Sequence, residues 1–90
     1  MRLTLLTQDD CAFCDQAKAI LNRLSTEFGF SVRVLDIDSP EGERLAAEGG
    51  IMFPPGLLID DEPVSYGRPS ERKLRRALER RMRSARSEMR

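Results

Sequence analysis

Apolar and polar positions begin to alternate at the second residue. Leu3, Leu5 and Thr7 fall on one side of an extended chain, and Thr4, Leu6 and Gln8 on the other. With apolar residues on both sides, the run predicts a short buried strand. Asp9-Asp10 ends it and is expected to supply a helix N-cap. From Cys14 the apolar positions step by three and four through Ala17, Leu21, Leu24 and Phe28, with Ile20 beside them. Lys18, Arg23 and Glu27 fall outside that stripe, so one face of a long helix is buried. Gly29 is its stop signal.

Ser31 to Asp36 reads as a second strand, with Val32 and Val34 on one face and Leu35 and Ile37 partly buried. Ser39-Pro40-Glu41 opens a short helix: Ser39 caps, Pro40 fits the first turn and Glu41 suits the positive end. Gly49-Gly50 terminates it. Leu57-Leu58-Ile59 is a third strand, Asp60-Asp61 a turn and Val64-Ser65-Tyr66 a fourth strand, which together make a hairpin. Ser70 caps a last helix with Leu74, Ala77, Leu78 and Met82 at helical spacing. The order is β-α-β-α-β-β-α. A helical crossover makes the first two strands parallel and the hairpin makes the last two antiparallel. An α/β domain follows, a four-stranded mixed sheet with helices on both faces, over residues 1–82. Residues 83–90 are expected to form a frayed basic tail.

At 90 residues the chain holds one domain. It has no histidine, which excludes a histidine triad, a histidine metal site and an imidazole base. Its only cysteines are Cys11 and Cys14, so a disulfide-stapled secreted framework is excluded as well. No apolar run approaches the roughly 20 residues that span a bilayer, and the N-terminus lacks a secretory pattern. A cytoplasmic protein with no membrane partner is expected. Charge is balanced in total but not in place: residues 1–68 carry net −6 and residues 69–90 net +6. An Arg-rich solvated helix accounts for the basic end, and nucleic acid is not an expected partner.

The conspicuous chemistry is Cys11-Ala12-Phe13-Cys14 at a strand-to-helix junction. Cysteines three apart at a helix start share a face, within disulfide range. Free N–H groups and the helix dipole favour a thiolate at Cys11, so Cys11 is expected to attack and Cys14, one turn deeper, to resolve. Asp9 and Asp10 oppose that thiolate by like charge. Half of a zinc site is a competing reading, although this chain offers no other Cys or His to complete one. An inert apolar pair is another. A second signal is Met52-Phe53-Pro54-Pro55-Gly56, which runs straight into the third strand. Proline at such an entrance often follows a cis peptide.

In this order the motifs resemble the glutaredoxin-like branch of the thioredoxin superfamily, over residues 2 to about 82. Leu5-Leu6-Thr7 followed by Cys11-Ala12-Phe13-Cys14-Asp15 is similar to the family's first strand and active site, with Phe13 where an aromatic is usual. Pro55 matches the family's cis-proline, with Pro54 the other candidate. Gly67 resembles the first glycine of a Gly-Gly turn near bound glutathione, and Arg68 replaces the second. The resemblance implies a thioredoxin-like fold of glutaredoxin type and disulfide reduction by dithiol exchange. It implies a substrate groove of Phe13, Pro54, Pro55, Gly67 and Arg68, with Tyr66 a further wall or a core residue. Protein or small-molecule disulfides are the implied substrates. Glutathione or a flavoprotein disulfide reductase is the implied electron source. No tightly bound cofactor or metal is implied, and glutathione is the candidate co-substrate.

Some positions depart from that pattern. Ala12 stands where proline is common, and Asp9-Asp10 where a basic residue often precedes the first cysteine. Pro54 has no N–H to offer a substrate backbone, which removes a bond worth about 0.5–1.5 kcal/mol net if Pro55 is the cis residue. Arg68 could hold a carboxylate. The departures touch glutathione recognition more than dithiol chemistry. The alternative reading is an interaction module that uses its Arg-rich last helix without redox turnover.

Overall fold

Four consecutive buried residues, Leu3 to Leu6, need a strand covered on both faces, and the first strand lies in such a place. The computed structural model describes residues 1–88. Its elements are β1 (Arg2–Thr7), α1 (Ala12–Phe28), β2 (Ser31–Asp36), α2 (Pro40–Gly49), β3 (Gly56–Ile59), β4 (Glu62–Tyr66) and α3 (Glu71–Glu88). The sheet order is β2-β1-β3-β4. β1 pairs in parallel with β2 and antiparallel with β3, so it is interior, and β3 pairs antiparallel with β4.

Alternation along the central strands divides the core in two. Leu3 and Leu5 of β1 and Leu57 and Ile59 of β3 pack with Ala17, Leu21 and Leu24 of α1 and Leu74 and Leu78 of α3. On the opposite face Leu6 and Leu58 meet Leu45 and Ala46 of α2, with Ile37 and Ile51. Helices therefore cover both faces, as expected. Thr4 shares the α2 side and is buried; its hydroxyl accepts from Arg33 Nη2 at 3.4 Å.

Local signals explain the element ends. Gly29 closes α1 in the left-handed region at φ 72°, its N–H bonded to the Ser25 carbonyl. Ser39 Oγ accepts the Gly42 N–H at 3.1 Å and caps α2. Gly42 permits that turn to sit against β2, because a Cβ there would run into the Asp36 carbonyl. In the hairpin Asp60 and Asp61 both have positive φ, 47° and 68°, the backbone of a tight type I′ turn. Asp60 Oδ1 also accepts the Arg2 N–H at 2.9 Å. Ser70 Oγ accepts the Lys73 N–H at 3.3 Å at the start of α3.

Several features differ from the expectations or add to them. Cys11, not Asp9 or Asp10, is the N-cap of α1. Val34 is exposed, because β2 is an edge strand with little packed over its end. Phe30, just before β2, is buried in the α1 and α3 core. Helix α3 runs past Met82 to Glu88, while Met89 and Arg90 lie outside the described residues. Met82 itself is exposed. An 18-residue helix is about 27 Å long, more than the roughly 20 Å of a six-residue strand, so its far end overshoots the sheet.

Charges on α3 hold it to the rest of the fold. Arg75 forks onto Glu27 of α1, its Nη2 donating to Oε1 at 3.0 Å, and its guanidinium lies 5.7 Å from the centre of the Phe28 ring. The Arg75 hydrogen bond and charge hold the Glu27 carboxyl below its ordinary range. Arg81 pairs with Glu62 at 2.8 Å. No helix among the described residues is long and apolar enough to cross a membrane.

Candidate active site

β1 delivers the chain through Gln8, Asp9 and Asp10 to the mouth of α1. Asp10 turns the backbone with φ 56°. Cys11 then takes extended backbone, φ −116° and ψ 102°, immediately before the first helical residue. That conformation makes it the cap, and its sulfur does what a serine hydroxyl usually does. Cys11 Sγ accepts the Cys14 N–H at 3.1 Å, and the Cys11 carbonyl accepts the Asp15 N–H at 3.2 Å. The sulfur thus lies where orphan N–H groups and the positive end of the helix converge. Asp9 and Asp10 stay out in solvent.

Cys11 and Cys14 are joined as a disulfide, with their Cα atoms 5.2 Å apart. Their environments differ. Cys14 is 1% exposed and belongs to the buried stripe of α1, while Cys11 is half-buried. Of the two residues, Cys11 keeps solvent-exposed surface and Cys14 almost none, and Cys11 carries the polarised sulfur. A partly exposed nucleophile backed by a buried thiol one turn deeper can carry out two successive exchanges.

The other expected residues gather at the same end through topology. β1 runs antiparallel to β3, so Leu6 lies opposite Gly56, and Gly56 lies opposite Tyr66 of β4. The cysteine turn that follows β1, the prolines that precede β3 and the glycine that follows β4 therefore share one edge of the sheet. The Pro54–Pro55 peptide is cis, which settles Pro55 as the cis residue. Pro55 is buried and Pro54 half-buried. The Pro55 carbonyl accepts the Gly67 N–H at 2.9 Å. Gly67 has φ 80° and is buried beneath Phe53; a Cβ there would stand 2.8 Å from Phe53 Cε2. Arg68 is exposed and, among the described residues, forms no ion pair.

Sequence reasoning missed Met52 and Phe53, which are 74% and 55% exposed. Their signal was present: two large apolar residues in a loop, directly before two prolines that cannot extend a helix. Tyr66 is 43% exposed and is not a core residue, because it ends an edge strand in which only Val64 is half-buried. Its ring meets the Phe53 ring edge-on, with centroids 5.1 Å apart and planes at 81°. Phe13, between the cysteines, is 43% exposed. Phe13, Met52, Phe53 and Tyr66 thus leave apolar surface at the end of the sheet where β1 leads into α1.

Comparisons with known proteins agree with this arrangement. A family model described as Glutaredoxin-like domain (DUF836) matches residues 2–79. A protein called Probable Thioredoxin from Archaeoglobus fulgidus is 29% identical over 76 residues, which is 84% of this chain and 84% of that protein. An uncharacterised protein of Mycobacterium tuberculosis is 35% identical over 77 residues, 82% of this chain and 78% of the relative. Among solved structures, a mutant thioredoxin from Halobacterium salinarum is similar with a TM-score of 0.65 at 26% identity, covering 87% of this chain and 71% of that one.

Proposed function

The chain belongs to the glutaredoxin-like domain (DUF836) family of the thioredoxin superfamily, and from that we propose that it reduces disulfides by dithiol exchange. The observation that carries the proposal is the asymmetry of the cysteine pair. Cys11 is half-buried and its sulfur accepts a helix N–H, while Cys14 is buried one turn behind it.

In the reduced protein the Cys11 thiolate attacks one sulfur of a substrate disulfide. The substrate S–S bond breaks, and its far sulfur leaves as a thiolate that takes a proton. Cys11 is now in a mixed disulfide. Cys14 gives up its proton and attacks Cys11 Sγ, and the second substrate sulfur leaves as a thiol. That step closes a Cys11–Cys14 disulfide, the bond for which the two cysteines are placed. Two electrons have passed from the protein to the substrate. Two more, from glutathione as co-substrate or from a flavoprotein disulfide reductase, restore the dithiol. The setting we favour is the cytoplasm, where such a reductant keeps the dithiol available. No tightly bound cofactor enters the cycle.

The test is turnover of hydroxyethyl disulfide and of insulin with dithiothreitol as reductant. Cys11→Ser is expected to abolish both. Full activity in Cys11→Ser would end the proposal. The interaction-module alternative finds less support, since Leu74, Leu78, Arg75 and Arg81 of α3 are engaged by the fold. Salt-dependent nucleic-acid binding without turnover would favour it instead.

A further inference from the structure

Helix α3 carries its cations on two sides. Arg75 and Arg81 flank the buried stripe of Leu74 and Leu78 and are paired, Arg75 with Glu27 and Glu71 and Arg81 with Glu62. Arg72, Lys73, Arg76, Arg80 and Arg83 are all exposed, and none of them forms an ion pair among the described residues. At 3.6 residues per turn they fall within about 100° of arc on the side away from Leu74 and Leu78, along about 17 Å of the helix axis. Glu79 is the carboxylate that borders this row, on the flank toward Arg75, whose charge it supports. From sequence alone the row reads as a solvated face. The fold adds that the inward arginines are neutralised and the outward cations are not.

Residues three and four apart on a helix are neighbours, so Arg72, Arg76, Arg80 and Arg83 repel one another in turn. Nothing within the described fold offsets that repulsion, whereas a polyanion laid along the row would. A bilayer surface is a poor match, because the apolar stripe of α3 is already in the core and none is left to enter lipid. An acidic protein is also a poor match. Its interface would need apolar or aromatic anchors, and Met82, the exposed apolar residue of α3, falls outside this arc. A phosphate backbone needs neither. It needs cations in a row, best of all guanidinium forks, and every member of the row but Lys73 is an arginine. With no aromatic on that face to stack a base, the contacts stay on the backbone and carry no sequence preference. Residues 1–68, at net −6, are repelled by the same phosphates, which leaves α3 as the side that faces them.

We propose that the outward face of α3 binds the backbone of double-stranded nucleic acid, without sequence preference, through Arg72, Lys73, Arg76, Arg80 and Arg83. This surface is separate from Cys11 and Cys14, and the proposal does not rest on dithiol exchange.

The experiment is fluorescence anisotropy of a labelled DNA duplex of about 20 base pairs, titrated with the full chain at several salt concentrations. The logarithm of the affinity should fall with the logarithm of salt with a slope of about −4, so that binding weakens about 100- to 1,000-fold between roughly 50 and 200 mM salt. A duplex of unrelated sequence should bind equally. Arg76→Gln with Arg80→Gln should weaken binding at least about tenfold at low salt and reduce the slope by about 2. Hydroxyethyl disulfide turnover should be unchanged in that variant, which shows that it is folded. Lys18→Gln with Arg44→Gln removes two exposed cations from other helices and should leave the affinity unchanged. Absence of binding at roughly 50 mM salt, or an equal loss in the two double variants, would overturn the proposal. So would tighter binding, at equal salt, to phosphatidylserine vesicles or to polyglutamate than to the duplex.

Discussion

Gly67→Ala and Gly29→Ala form a matched pair that separates backbone strain from disruption of the site. Both glycines have left-handed backbone, φ 80° and φ 72°. An alanine in that region costs about 1–2 kcal/mol at either position. At Gly29, which ends α1, the new methyl meets nothing within 4 Å, so the backbone term stands alone. At Gly67 the methyl meets Phe53 Cε2 at 2.8 Å. The Phe53 ring is largely exposed and can swing aside, but in doing so it leaves the Tyr66 ring, a contact worth about 0.5–1.5 kcal/mol. Gly67→Ala should therefore cost about 1.5–3.5 kcal/mol in all, against about 1–2 for Gly29→Ala. Urea unfolding, compared at a common slope, reads the difference. In a domain of this size each kcal/mol moves Tm by about 4–8 °C, so melting should rank the two variants alike. Gly67→Ala should also slow reduction of a peptide disulfide, while Gly29→Ala leaves that rate unchanged. Equal stability loss in the two variants, with equal rates, would refute the claim that Gly67 supports the Phe53–Tyr66 surface.

Other consequences are independent of that pair. Gly42→Ala forces a methyl into the Asp36 carbonyl, a backbone atom that cannot move aside, and should destabilise by about 1–3 kcal/mol or more in the same urea assay. The Glu27 carboxyl is held below its ordinary value by Arg75, so its contribution to stability is present above pH 4.5 and lost as the pH falls through the lower folded value. Glu27→Gln should remove that part of the acid dependence and lower stability at neutral pH by the same small amount, with no difference in strong acid, which urea unfolding across pH would check. Asp9→Asn with Asp10→Asn removes like charge beside the reduced Cys11 sulfur, and iodoacetamide should then alkylate it about two- to fivefold faster at neutral pH. An unchanged or slower alkylation rate would contradict that account.

Much of the fold was legible because each element carries its own punctuation. Ser39-Pro40, Gly29, Gly50 and Asp60-Asp61 state ends and turns through capping and left-handed backbone, and each is found where expected. The two-sided burial of β1 follows from the apolarity of Leu3, Leu5 and Leu6, which fall on both its faces. What local pattern could not state is where an element lies in the sheet. Val34 looks as apolar as Val32, yet its strand is at an edge and Val34 is exposed. Met82 continues the helical stripe of Leu74 and Leu78, but the sheet ends before the helix does. In the site, Cys11 and Cys14 were legible from spacing and Pro55 from resemblance. The helix cap was misassigned because Asp10 turns the chain with positive φ, which leaves Cys11 in the extended capping backbone. Phe53 was missed because its partner, Tyr66, lies on another strand and is reached only through the hairpin register.

The central claim is that Cys11 makes the first bond to substrate and Cys14 breaks it. Mass spectrometry of Cys14→Ser, reduced and then mixed with a peptide disulfide, tests that directly. The account expects a stable adduct of protein plus one peptide thiol, mapped to Cys11, because the residue that would release it is gone. The absence of that adduct, or an equally rapid adduct at Cys14 in the Cys11→Ser protein, would contradict it.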